Sequence, residues 1–400
     1  MNEIIEDQYH VEVAFFQYNH YREKISGDVF LSKRIPEENR VLGVLSDGMG
    51  HGVKANVLAT LTATISINLS QEHKNANTIA DIIMKALPVC SERKISYATY
   101  TIIDISIDAE TVNILEYDNP QTILMRGKRI YEPNWVMMLL DKQGTDIRER
   151  DLKTCSFRPQ LGDRIISCSD GVTQSGLGMG MTIGWGRNSV INYIRELIEI
   201  NPTISAGDIA EKVVKRSAAN DQQTPKDDIT CGVFYFRQPR KIIICTGPPF
   251  NMEQDYEFAQ KLKTFPGKKI IAGATTTEII ARELNRPVTD EPMVDNTLPP
   301  SSFMEGIDLV TEGVLTLSKV IKMLDNLKNP NFPFGNGPAD KMCKLLLESD
   351  KIHILVGTKI NESHHDPNLP VEIEIRRNLM QKLIKVLTDK YLKVVNVEFM

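Results

Sequence analysis

The 400-residue chain has few cysteines, no concentrated basic segment and no long apolar run. Its six cysteines (Cys90, Cys155, Cys168, Cys231, Cys245 and Cys343) form no Cys-x-x-Cys and sit mostly in apolar, strand-like runs. They read as reduced, buried thiols of a cytoplasmic protein, against a disulfide scaffold or a zinc ribbon. The pair His364-His365 falls in a polar stretch far from any cysteine and reads as a solvated loop. Lys and Arg are dispersed and the formal net charge is only −5, which argues against a nucleic-acid groove or an anionic membrane surface. No apolar run approaches the roughly 20 residues that span a bilayer, and the acidic N-terminal stretch lacks a signal-peptide core. G-x-G-x-x-G and G-x-x-x-x-G-K-[ST] are both missing, so dinucleotide or Walker-type binding has no support.

The length exceeds what one core usually supports, so two domains are expected. The rhythm changes near Arg237-Gln238-Pro239-Arg240, giving domains 1–238 and 239–400. In the first, β-branched runs at 97–107, 111–117 and 121–126 read as an antiparallel meander. Helices are expected at 53–70, 76–87, 188–199 and 205–219. Hairpins with grouped helices predict an α+β domain of sheets covered by helices. In the second, apolar strands at 241–245, 269–272, 308–310 and 352–356 alternate with helices near 252–263, 276–285, 314–327 and 338–348. That is the pattern of an α/β domain with a mostly parallel sheet, and the Pro-rich 287–302 stretch reads as an excursion from it.

The most informative stretch is Ser46-Asp47-Gly48-Met49-Gly50-His51-Gly52. It follows the strand-like Val41–Leu45 and leads into a helix with apolar residues at Val53, Val57, Leu61 and Ile65. A carboxylate at a strand end followed by a glycine turn can hold a hard divalent ion: Asp47 offers carboxylate oxygens and Gly48 its carbonyl. Three more acidic stations lie at edges of strand-like runs: Ser26-Gly27-Asp28, Ser169-Asp170-Gly171 and Asp227-Asp228-Ile229-Thr230. A hairpin between 28 and 47 would bring both carboxylates to one end of a sheet. Asp-Gly is also a common turn, and Asp104, Asp108, Asp118 and Asp163 are read as solvated or turn residues. Oxygen-only donors suit Mn²⁺ or Mg²⁺, and two such ions can activate water and clamp a phosphoryl group.

These four motifs, in this order, resemble the four-aspartate signature of type 2C metal-dependent Ser/Thr protein phosphatases, in particular the bacterial SpoIIE branch. The likeness covers roughly residues 10–237. It implies a β-sandwich flanked by helices, two or more Mn²⁺ or Mg²⁺ ions, and hydrolysis by metal-bound hydroxide of a phosphoserine or phosphothreonine on a regulatory protein. It also implies the ligands: Asp47 bridging, the Gly48 carbonyl, Asp28 directly or through water, Asp170, Asp227 and, more weakly, Asp228. His51 is read as loop packing in preference to a general acid. The shortened Asp118-Asn119-Pro120-Gln121 turn and the glycines at 176, 178, 180, 184 and 186 depart from the usual pattern, and substrate selection is assigned to them. The rival readings are a phosphatase-like binding scaffold and a phosphatase of small phosphoesters.

Residues 239–400 carry no such signature, and a regulatory or ligand-binding role is expected. Two polar turns separate strand from helix, Thr246-Gly247-Pro248-Pro249 and Gly273-Ala274-Thr275-Thr276-Thr277-Glu278. Thr275 with Glu278 has capping-box spacing, and the alternative is anion capture by free N–H groups. Thr246, Gly247, Gly273, Thr275, Thr276 and Thr277 are therefore the candidate lining of an effector or partner site, and a homodimer is left open.

Overall fold

The computed structural model describes residues 9–86, 98–137, 152–294, 297–327, 334–358, 369–391 and 393–400. Cys90 and His364-His365 lie outside the described residues. The chain divides into two compact units, Met1–Gln238 and Pro239–Met400.

The first unit is a sandwich of two mainly antiparallel sheets. One has the order β1 (His10–Tyr18), β11 (Ile229–Arg237), β10 (Asp163–Cys168), β6 (Ile123–Arg126), β7 (Arg129–Ile130). The other has the order β2 (Asp28–Ile35), β3 (Arg40–Gly48), β4 (Ala98–Ser106), β5 (Thr111–Tyr117), β9 (Leu152–Phe157), β8 (Val136–Met137). Both faces of each sheet are covered, which explains strands that read as continuous apolar runs. On β11, Phe234 and Phe236 point between the sheets, where they meet Phe30, Leu45, Ile103 and Ile165. The alternate residues Val233 and Tyr235 face outward beneath α4 (Arg187–Ile200) and α5 (Ala206–Asn220). The outer face of the other sheet, through Val44, Tyr100 and Ile102, is covered by α1 (Gly52–Gln71) and α2 (Ala76–Ala86). Between the sheets, two bare backbones receive rings: a Cβ on Gly43 would lie 2.2 Å from the Phe234 ring, and one on Gly232 2.3 Å from the Phe30 ring.

Two expectations need correction. The run at 121–126 does not extend the meander, because Ile123–Arg126 crosses to the other sheet and pairs with β10. Asp118 in the left-handed region (φ 55°) and Pro120, which has no N–H to give a ladder, end pairing with β5. The apolar face read for α1 is also the wrong one. Val53, Val57 and Leu61 are exposed and Ile65 is half-buried against the core, whereas Ala55, Ala59, Thr62, Ala63 and Ser66 are buried. The helix lies so close to the end of β3 that a Cβ on Gly48 would fall 2.1 Å from the Ala55 carbonyl oxygen. Only small side chains fit beneath it.

The second unit is a doubly wound α/β layer. Its central strands run parallel in the order β16 (Leu309–Thr311), β13 (Lys268–Ala272), β12 (Lys241–Thr246), β17 (Lys351–Val356), β18 (Val394–Phe399). The Pro-rich excursion contributes β14 (Thr289–Asp290) and β15 (Ser302–Phe303), which extend the β16 edge antiparallel. Helices α6 (Asp255–Thr264) and α7 (Ala274–Leu284) cover the face bearing Ile243, Cys245 and Ile271. Helices α8 (Val314–Asn326), α9 (Pro338–Glu348) and α10 (Leu369–Lys385) cover the other. The edge pair α10 and β18 was not read from the sequence, because Val394–Phe399 alternates exposed and half-buried residues and carries no continuous apolar run.

Candidate active site

Antiparallel pairing of β2 with β3 puts Asp28 opposite Asp47. From the second sheet, β10 ends at Cys168 and delivers Asp170 as the first residue of the short helix α3 (Asp170–Thr173). The neighbouring β11 begins just after Asp227-Asp228. The Ser169 N–H donates to the Thr230 carbonyl, and the Thr230 N–H to the Ser169 hydroxyl, each at 3.0 Å. Asp47, Asp170 and Asp227 thereby line one cavity of about 790 Å³, shared with Gly50, His51, Asp118, Asn119, Pro120, Gln121, Gln174, Arg187 and Lys226.

The electrostatics of this cluster are unfavourable as it stands. Asp28 is 2% exposed, and neither of its carboxylate oxygens has a hydrogen-bond partner. Ser169 and Thr230 lie close enough to soften the effect of burial without reaching hydrogen-bond geometry. Burial, followed by the charges of Asp228 and Asp227, pushes the Asp28 carboxyl well above the usual range. Burial and then Asp28, Asp170 and Asp227 do the same to Asp47. Asp170 is raised by burial, and its Oδ1 is buried without a partner while Oδ2 accepts from Gln174 Nε2 at 2.7 Å. Asp227 is raised to about 6, by burial first and by Asp170 second.

Asp228 plays a different part. Its two oxygens accept the backbone N–H groups of His20 and Gly27, each at 2.8 Å, and, like Asp28 and Gly48, it is not among the cavity's lining residues. It ties the segment before Asp28 to the start of β11. Asp104 and Asp163, read as solvated or turn residues, are paired instead: Asp104 with Arg40 at 2.7 Å and the buried Asp163 with Arg126 at 3.0 Å.

Sequence reasoning did not find Arg187, Lys226, Gln174 or Glu116. Arg187 follows the glycine-rich segment and opens α4. Its Nε donates to the Gln121 carbonyl at 3.2 Å, and its Nη2 reaches the Thr122 carbonyl and Glu132. The Thr122 N–H in turn donates to the buried Glu116 carboxylate at 2.7 Å, so Glu116 and Arg187 together hold the short 118–122 turn at the cavity wall. None of the four belongs to a motif; Lys226 and Gln174 are chain neighbours of Asp227 and Asp170, whereas only the fold brings Arg187 and Glu116 to the site.

A family model described as Stage II sporulation protein E (SpoIIE) matches residues 37–237, which is half of the chain. The chain belongs to the SpoIIE family. SpoIIE-family chains are protein phosphatases of the type 2C class. Among solved structures, the phosphatase domain with a regulatory fragment of SpoIIE from Bacillus subtilis is 18% identical, with a TM-score of 0.46, over 57% of this chain and 64% of that one. The SiaA phosphatase domain of Pseudomonas aeruginosa is 17% identical over 56% of this chain and 85% of that one, with a TM-score of 0.41. RsbX in complex with magnesium is 16% identical over 59% of this chain and all of that one, with a TM-score of 0.40. No curated protein sequence matches.

The second unit has a cavity of its own, about 360 Å³, at the carboxyl ends of β12, β13 and β16. Thr246, Gly247, Gly273, Thr275 and Thr276 line it with Pro248, Ala272, Glu312, Gly313 and Leu317. Thr277 does not: its hydroxyl and N–H both turn back to the Gly273 carbonyl, at 2.9 Å each. The capping box expected from Thr275 and Glu278 is absent, because α7 starts at Ala274 with Gly273 at its cap and no side-chain cap. Thr275 lies inside the first turn.

Proposed function

We propose that residues 1–238 form a metal-dependent phosphoprotein phosphatase that acts on phosphoserine or phosphothreonine of a regulatory protein. Asp28, Asp47, the Gly48 carbonyl, Asp170 and Asp227 would hold two Mn²⁺ or Mg²⁺ ions. The observation that carries this reading is a set of buried carboxylate oxygens, both of Asp28 and one of Asp170, with no hydrogen-bond partner. Buried charges left this way are costly, and a divalent cation is the partner their chemistry fits. Among the described residues no three of the four aspartates bring donor atoms within 4.8 Å of one another, so the carboxylates would draw together on binding the ions. When bound, such ions lower the pKa of coordinated water and draw charge from the phosphoryl oxygens.

The protein's own groups do the rest. Gln174 fixes the orientation of the Asp170 carboxylate by its hydrogen bond. Asp228 holds the segments that carry Asp28 and Asp227 through two backbone N–H groups. Arg187, tethered on one side to the 121–122 carbonyls, lines the cavity with a guanidinium suited to phosphoryl oxygens. The cavity is large enough to admit a phosphorylated side chain of a protein. The test is turnover of a phosphopeptide and of p-nitrophenyl phosphate by purified protein with Mn²⁺. Failure on both, with calorimetry showing no Mn²⁺ binding, would leave a binding scaffold.

The second unit is assigned a regulatory role, with the cleft at Thr246, Gly247, Gly273, Thr275 and Thr276 receiving an effector. Ligands of open parallel sheets bind beyond the carboxyl ends of the strands, which is where this cleft lies.

A further inference from the structure

Beside the aspartates, His20, Glu23 and His51 bring three donor side chains together, with one donor atom of each within 4.8 Å of the others. His20 and Glu23 share a tight turn, closed by the Glu23 N–H donating to the His20 carbonyl at 3.0 Å. His51 comes from the loop after Asp47. The two imidazoles stack with centroids 4.2 Å apart and planes 10° from parallel, and His51 Nδ1 lies 2.9 Å from Glu23 Oε1. His20 Nδ1 is buried and has no hydrogen-bond partner. A structural ion pair between Glu23 and His51 accounts for two of these groups and leaves that nitrogen unexplained.

We propose that His20, Glu23 and His51 form a site for a borderline divalent ion of the zinc type, separate from the aspartate cluster. The donor sets differ in kind. Four carboxylates and a carbonyl suit Mg²⁺ or Mn²⁺, whereas two imidazoles and one carboxylate favour Zn²⁺, Co²⁺ or Ni²⁺ and are poor ligands for Mg²⁺. Tetrahedral coordination at about 2.0–2.1 Å wants donor atoms about 3.4 Å apart and the ion in the plane of each imidazole, so closing the set requires one ring to rotate out of the parallel stack. The exposed side of His51 leaves room for water as a fourth ligand. Such an ion would fasten the 20–23 turn to the 49–52 loop at the cavity rim. The inference holds whether or not the neighbouring aspartates catalyse hydrolysis.

The test uses the full chain saturated with Mg²⁺, which fills oxygen sites and leaves imidazole donors open. Zn²⁺ is then titrated with a competing chelator, and Co²⁺ is added as a spectroscopic probe. The expected result is one further Zn²⁺ per chain and visible Co²⁺ bands of a nitrogen-ligated, low-coordinate ion. His20→Gln and Glu23→Gln should each weaken this binding at least 10-fold while keeping the Mg²⁺-induced rise in melting temperature, which shows that fold and aspartate cluster survive. No additional ion, equal Zn²⁺ affinity in both variants, or loss of the ion only on Asp170→Asn would overturn the proposal.

Discussion

Asp28 and Asp47 are direct cross-strand partners on β2 and β3, the first fully buried and the second half-buried at the cavity wall. Like charges so placed destabilise a sheet. Their raised pKa values, with those of Asp170 and Asp227, mean that the folded state holds protons more tightly than the unfolded chain. Without metal, stability should therefore fall as pH rises from the ordinary carboxylate range through about 6, the value for Asp227. Added Mn²⁺ should reverse the fall. Melting curves from pH 4 to 8, in EDTA and in Mn²⁺, test this; parallel curves would contradict it.

Asp47→Asn should raise the melting temperature of the metal-free protein and abolish the shift caused by Mn²⁺. Turnover should drop by at least about 100-fold, since even groups that only orient ligands are worth 10- to 100-fold. Circular dichroism should show the fold intact. His51→Ala should retain appreciable turnover.

Glu116 gives a second pH signature, away from the aspartates. Burial raises its pKa from 4.5 to about 6. The cost of ionising it is absent below about 4.5 and fully felt above about 6, at most about 2 kcal/mol for 1.5 units. Glu116→Gln keeps an acceptor for the Thr122 N–H and removes the charge. The variant should match the parent at pH 4 and exceed it at pH 7.5; a variant less stable at both values would be the contrary outcome.

Arg187→Ala should raise KM for a phosphopeptide by about 10- to 100-fold, the worth of hydrogen bonds to a charged group. Mn²⁺ affinity should change little. Arg187→Lys, which keeps the charge and loses the fork, should fall between them. Unchanged KM in the alanine variant would remove Arg187 from substrate binding.

Gly43→Ala would place a methyl within 2.2 Å of the Phe234 ring between the two sheets. Overpacking there should cost about 1–3 kcal/mol in urea unfolding. Phe234→Ala should cost about 3–5 kcal/mol by opening a cavity.

For the second unit, the expectation is that residues 1–238 alone keep metal-dependent turnover but differ from the full chain in rate or substrate preference. The first unit has its own cores between and outside its sheets, so it should fold without the second. Equal kinetics under every condition tried would leave residues 239–400 without a regulatory part.

The sequence by itself determined the class of each domain and most of its elements, the edge pair α10 and β18 excepted. Strand and helix periods, and acidic stations at the edges of strand-like runs, depend on near neighbours along the chain, and so they could be read at Asp28, Asp47, Asp170 and Asp227. The strand–helix alternation after residue 240 was legible for the same reason. Only the tertiary structure decided which strand joined which sheet, as when Ile123–Arg126 crossed over to β10. It also decided which face of α1 was buried, because the helix backbone at Ala55 passes so close to Gly48 that the small-residue face packs inward. The juxtaposition of Arg187 with the aspartates, and of His20 and Glu23 with His51, spans residues with no shared periodicity. Such contacts are set by how sheets stack and loops close, and a one-dimensional pattern does not encode them.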